Sequence, residues 1–143
     1  MKVMEMILGR IIGLCTTRRF NFDAKEDVST FSYVQVPHKD GDILAQIVEI
    51  TKGSNTTAHC TVLGLVQNKK LLHLRSPPEP GVEVIIAQDE LIQDALRFEG
   101  KAGAYIGTLD GKNIPVQLDL NQVLQKHIAV LAIDEDRQRC IEC

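Results

Sequence analysis

The 143-residue chain has no tryptophan, only two tyrosines and only four phenylalanines. Platforms that stack single-stranded nucleic acid are built from aromatic rings, so such a platform would be thin here. Positive charge is not in excess either. Sixteen Lys and Arg stand against 19 Asp and Glu, for a formal net charge of −3. That balance argues against a freestanding binder driven by phosphate neutralisation. No apolar run reaches the roughly 18–20 residues that a bilayer span needs. The N-terminus lacks the long apolar core and small-residue cleavage site of a secretory signal. Cysteines number four and are unevenly placed. They read as reduced thiols of a cytoplasmic protein rather than a disulfide framework. What is present is ordinary for a globular domain, with 44% apolar and 24% charged residues, which excludes general disorder. A chain of this length buries roughly two-thirds of its unfolded surface, enough for one core without metals or disulfides.

The first half is written in strand language. Ile7 to Leu14 is rich in β-branched residues, and its glycines, Gly9 and Gly13, share a face with Ile7 and Ile11. Glycine there marks a bend or a close backbone approach, as at barrel corners. Phe20 and Phe22 alternate with polar neighbours. Phe31–Val36 reads as a strand stopped by Pro37, and the turn around Asp40-Gly41 leads into Ile43–Ile50 as a hairpin. Thr57–Val66 is a further strand in which Gly64 marks a bulge or an end. Gln67-Asn68 is a turn, and Lys69–Arg75 returns as a strand. Three prolines in Ser76-Pro77-Pro78-Glu79-Pro80-Gly81 cannot donate into a ladder, so this segment is a stiff surface connection before the strand Val82–Ile86. About six short strands with regular turns predict a barrel or sandwich, and closure into a barrel removes exposed edges.

The second half changes period. Leu91, Ile92, Ala95 and Leu96 form a helical stripe over residues 88–98, with Asp89 and Glu90 at its start, Arg97 near its end and Gly100 as a cap. Ala104–Leu109 and Ile114–Leu118 flank Asp110-Gly111 as a second hairpin, with Pro115 at an edge or non-bonded position. Asp119–His127 reads as a short helix. Ile128–Ile133 is a continuous apolar run of strand length, typical of strands covered on both faces. The charged stretch 134–143 is expected to fray.

The order of these segments resembles HerA-type archaeal DNA translocases. The resemblance rests on Gly9-Arg10-Ile11-Ile12-Gly13 followed by Thr16-Thr17 and Phe20-x-Phe22, and on Tyr33-Val34-Gln35-Val36-Pro37 with Ile47–Ile50. It continues through Pro80-Gly81-x-Glu83-Val84, Asp89–Ile92, Gly103–Leu109, Val116-x-Leu118-Asp119-Leu120-Asn121 and His127–Ala132. It covers nearly all of residues 7–132, and the ordered series carries it rather than any single motif. The resemblance implies a mainly β fold: a six-stranded HAS barrel over 1–86, similar to the N-terminal barrel of rotary ATP synthase head subunits. A linker helix over 87–102 follows. Residues 103–133 would then be the start of a RecA/FtsK-like ATPase core, with hairpin, short helix and first strand, and 134–143 a disordered tail. It also implies a hexameric, ATP-dependent translocase of DNA end resection and repair, partnered by a NurA-type nuclease, with DNA contacted only in the ring and no membrane.

The sequence departs from that family after Ala132. The family's Gly-rich loop ending in Gly-Lys-Ser/Thr is replaced by Ile133-Asp134-Glu135-Asp136. Phosphate binding needs small residues that let backbone N–H groups approach and a Lys that neutralises charge, whereas three carboxylates repel a triphosphate. The chain is therefore expected to bind no cofactor and to hydrolyse no ATP, and it looks like the N-terminal part of a translocase. No Ser or Cys nucleophile stands in a motif with His59 or His73, which read as structural or surface histidines. Cys140-x-x-Cys143 supplies two of the four ligands a structural zinc needs, and Cys15, Cys60, His38, His59 and His73 are scattered, so no metal site is expected. The basic doublets Arg18-Arg19 and Lys69-Lys70 are the candidate contacts to DNA phosphates or to acidic patches of a partner, against the plainer reading of solvated loops. Two functions follow: a non-catalytic assembly and docking module, or a stand-alone nucleic-acid-binding barrel that uses its loops.

Overall fold

The computed structural model describes residues 6–97, 103–109 and 111–124. Seven strands occupy the first part: β1 (Ile7–Ile12), β2 (Arg19–Ala24), β3 (Tyr33–His38), β4 (Gly41–Lys52), β5 (Thr56–Gln67), β6 (Lys70–Leu72) and β7 (Glu83–Ile86). They pair antiparallel in the order β2-β1-β7-β3-β4-β5-β6, and β2 also pairs with β5. That last pairing joins Arg19–Asp23 to Thr57–Thr61 and closes six strands into a barrel, leaving β6 outside it.

Alternation along each strand fills the interior. Ile11, Phe20, Phe22, Val34, Val36, Ile43, Ala45, Ile47, Ala58, Cys60, Leu65 and Val84 belong to one buried cluster. The two phenylalanines supply the largest volumes, and truncating either to alanine costs about 3–5 kcal/mol. Gly9 is where β1 meets β2 most closely: a Cβ there would collide with the Asp23 carbonyl oxygen. Gly13 instead takes φ 70 in open space and turns the chain out of β1.

The β3–β4 hairpin turns on Lys39 and Asp40, and Gly41 follows with φ 151. A Cβ on Gly41 would lie 2.6 Å from the Val66 carbonyl oxygen, so glycine is required at this place. Pro37 does not stop β3, contrary to expectation. It pairs with Asp42, next to the closing pair His38 and Gly41, at a position whose backbone nitrogen faces away from β4, so its lack of an N–H costs no bond to that strand. The β5 bulge falls where expected, since Leu44 faces Gly64 and Ala45 faces Val62, but β5 runs on to Gln67. The returning strand β6 keeps only three of the residues expected of it, and His73 lies beyond its end.

A second apolar layer lies on the outside of the barrel. Ile85, Gln35, Leu44 and Gly64 are successive partners across β7, β3, β4 and β5. Leu44, Val66, Ile85, Ala87 and Ile92 are buried yet stand outside the interior cluster. Ile92 comes from α1 (Asp89–Ala95), which touches β5 and β6. Gln35, a buried polar residue, accepts from the Gln88 backbone N–H at 3.2 Å through its Oε1 and so fixes the helix entry. The helix is shorter than the sequence pattern suggests. It ends at Ala95, before Arg97, and Gly100 lies outside the described residues.

The chain divides into two compact units, 1–97 and 98–143. Among the described residues the second holds a hairpin of β8 (Gly103–Thr108) and β9 (Pro115–Asp119), then one turn of helix, α2 (Leu120–Val123). Asp119 caps that turn by accepting from the Asn121 N–H at 3.0 Å. The apolar run 128–133 and the tail 134–143 lie outside the described residues.

Two outcomes follow from the packing. Gly9→Ala will destabilise the barrel by about 3 kcal/mol, because backbone rather than a flexible side chain must move; urea unfolding measures it. Burial pushes the Cys60 thiol up to about 12 from its ordinary 9.0. The folded state thus holds the proton more tightly than the unfolded chain. The stability this confers is complete below pH 9 and is lost as pH rises from about 9 to about 12. Thermal melts at about pH 8 and about pH 10.5 will therefore diverge more for the wild type than for Cys60→Ala.

Candidate interaction surface

One end of the barrel carries a cleft of about 630 Å³ between the β1–β2 loop, the end of β3 and the proline segment. Gly13, Leu14, Cys15, Pro37, His38, Lys39 and the run Ser76–Pro80 line it, with Val82. His38 is the organising residue, its side chain only 7% exposed. The Asp40 backbone N–H donates to His38 Nδ1 at 3.2 Å, so Nδ1 is the acceptor nitrogen. Nε2 then carries the proton and donates to Ser76 Oγ, also at 3.2 Å. The Asp40 carboxylate stands 3.8 Å from Nδ1, beyond hydrogen-bond reach.

Serine, histidine and aspartate are thus brought together, but in the wrong sense for nucleophilic catalysis. A catalytic ring accepts the serine proton and is held by the carboxylate. Here the ring donates to serine and is held by a backbone amide. The arrangement clamps the proline segment to the β3–β4 turn. Cys15, in the same cleft, directs its Sγ to the Gly13 carbonyl at 3.8 Å, and burial raises its pKa, so it is not an activated thiolate. Nothing local in the sequence joins His38 to Ser76, which are 38 residues apart, and the clamp was invisible there for that reason.

The basic doublets do not converge. Arg18 and Arg19 are exposed where β2 begins, with the Arg18 carbonyl accepting from the Val62 N–H and Arg19 opposite Thr61. Lys69 and Lys70 are exposed at the other end of β5, with Lys70 opposite Gln67. Six residues of β5 separate the two places, roughly 20 Å at strand rise. The candidate ligands are scattered as well. Cys60 faces the barrel interior, Cys15 and His38 line the cleft, and His59 lies on the outer wall. His59 is satisfied there, Nδ1 with Asn21 Oδ1 at 2.8 Å and Nε2 with Thr51 Oγ1 at 3.2 Å. Among the described residues no group of three or more His, Cys, Asp or Glu is placed to hold a metal ion. Cys140 and Cys143 lie outside them. Among the same residues no helix is long and apolar enough to cross a membrane.

Among the described residues the first unit is thus a closed barrel with a cleft organised by His38. No protein-family profile matches the sequence. Curated relatives do. The chain is 28% identical over 131 residues to the probable DNA double-strand break repair helicase HerA of Methanocaldococcus jannaschii, covering 90% of this chain and 26% of that protein. It is 26% identical over 162 residues to the DNA double-strand break repair helicase HerA of Pyrococcus furiosus, covering 91% and 29%. With the HerA of Saccharolobus solfataricus it shares 27% over 152 residues, covering 89% and 30%. The chain is thus similar to HerA-type helicases over about nine-tenths of its length and spans between 26% and 30% of the length of these relatives. An archaeal origin fits their sources.

The clamp can be tested through its neighbour. His38→Ala should free the proline segment, and iodoacetamide labelling of the Cys15 peptide, followed by mass spectrometry, should accelerate roughly fivefold. Unchanged labelling would show that His38 does not hold the cleft closed.

Proposed function

We propose that this chain is a non-catalytic assembly and partner-docking module of a hexameric, ATP-dependent DNA translocase acting in DNA end resection and repair. The observation that carries this reading is the match of about nine-tenths of the chain to only 26–30% of each HerA relative, on a closed barrel. On this reading residues 1–86 are the HAS-type barrel, 87–102 a connecting helix and 103–133 the beginning of an ATPase core. The barrel supplies surface to neighbouring copies and to a NurA-type nuclease in the cytoplasm, and DNA is met only in the context of the ring. The acidic run Asp134-Glu135-Asp136 supports the absence of nucleotide chemistry, since it offers a triphosphate neither backbone access nor a lysine. The stand-alone nucleic-acid binder is the weaker reading. Its basic doublets are roughly 20 Å apart along β5 and the net charge is −3.

The purified chain will bind no ATP in calorimetry and turn none over, while capturing a cognate NurA-type nuclease in a pull-down. Hydrolysis that persists through repurification would overturn the non-catalytic reading. A strictly monomeric chain in light scattering that also ignores the nuclease would overturn the docking role.

A further inference from the structure

The six barrel strands satisfy one another, but β6 does not close. Among the described residues it pairs only with β5, and its far edge has no strand. Its register says which groups face outward. Asn68 and Lys69 take φ 51 and 62, the paired positive angles of a type I′ turn, so Gln67 and Lys70 close a two-residue hairpin. The closing pair exchanges hydrogen bonds, and alternation then turns the N–H and C=O of Leu71 away from β5. The edge strand exposes apolar side chains: Leu71 and Leu72 are 41% and 43% exposed. It is also basic. Lys69, Lys70, His73 and Arg75 are all exposed, and no acidic residue occurs in the sequence between Glu49 and Glu79. The acids of α1, which touches β6, leave Lys69, Lys70 and Arg75 without an ion pair among the described residues.

We propose that the free edge of β6, flanked by Lys69, Lys70 and Arg75, receives an acidic, extended segment of a partner protein as an added antiparallel or parallel strand. The inference rests on the docking reading above and gives it a place and a partner chemistry. Main-chain bonds to Leu71 supply the pairing, the leucines supply apolar contact to alternate residues, and the cations select acidic flanks. Nucleic acid fits this edge less well. A phosphate backbone has no use for a strand's alternating N–H and C=O groups or for two exposed leucines, and Arg18-Arg19 is too distant to extend the patch.

The probe is a fluorescein-labelled peptide of alternating valine with aspartate or glutamate, titrated against the full chain by fluorescence anisotropy. A lysine-for-acid peptide and a labelled oligothymidine serve as controls. Saturable binding of the acidic peptide alone is expected, weakened at least roughly tenfold by about 0.5 M NaCl. Leu71→Pro should weaken it as much, since proline removes the outward donor at a position where no ladder bond is lost. The double variant Lys70→Glu, Arg75→Glu, which keeps the backbone intact, should abolish it and serves alone if the proline variant fails to fold. Absence of binding, or binding indifferent to the variants, overturns the proposal. Preference for oligothymidine that survives Leu71→Pro but not charge reversal overturns it in favour of nucleic acid. Concentration-dependent dimerisation through this edge in place of peptide binding overturns it in favour of a second copy. If these variants still capture the nuclease like the wild type, this edge is excluded while the docking role stands.

Discussion

Everything in the first unit depends on β2 pairing with β5. Without that ladder the sheet would be open, with β2 as one edge and the Phe20 and Phe22 side chains on an uncovered surface. With it, the two rings fill a closed interior and all six strands gain neighbours on both sides over part of their length. Beside that ladder Gly9 lets β2 lie close against β1, because Asp23's carbonyl occupies the space any side chain would need.

Closure also sets the role of the polar residues. No buried side-chain nitrogen or oxygen among the described residues is left without a partner. His38 fastens the proline segment to a hairpin turn, His59 ties β2 to β4 and β5 across the outer wall, and Gln35 anchors the entry to α1. Each is engaged by neighbours within the fold. Catalysis needs a group whose donor or acceptor capacity is still uncommitted and aimed at an open space. His38, His59 and Gln35 use theirs within the fold, which supports the proposed reading of the barrel as a scaffold.

Much of the barrel was legible in the sequence because its determinants are local. The Asp40-Gly41 turn, the bulge at Gly64, the close approach at Gly9 and the strand count all follow from residue types within a few positions of one another. The misjudged elements depend on what lies across the sheet. Pro37 stays in β3 because its nitrogen, which carries no hydrogen, faces away from β4, which no local pattern reveals. The strand expected over Lys69–Arg75 shrinks to Lys70–Leu72, its pairing ending where β5 reaches the bulge at Gly64. Leu44 and Ile85 look outward-facing by alternation, yet both are buried although they lie outside the interior cluster. The site suffered most, since the His38–Ser76 clamp and the separation of the two basic doublets are products of tertiary register alone.

The length of β5 explains why one edge is left over. Its Thr57–Thr61 portion faces β2, and its Leu65–Gln67 portion faces β6. One strand therefore both seals the barrel and begins a second, unfinished layer. Open edges invite pairing with any exposed strand, and proteins restrain this by placing lysine on them. Lys69, Lys70 and Arg75 perform that restraint here against the most abundant competitor, another copy of the same edge, because two such edges would oppose like charges. The same charges lower the barrier for an acidic strand. Protection from self-pairing and preference for an oppositely charged partner are thus one electrostatic property of three side chains, and the edge is closed to its own kind by the feature that opens it to another.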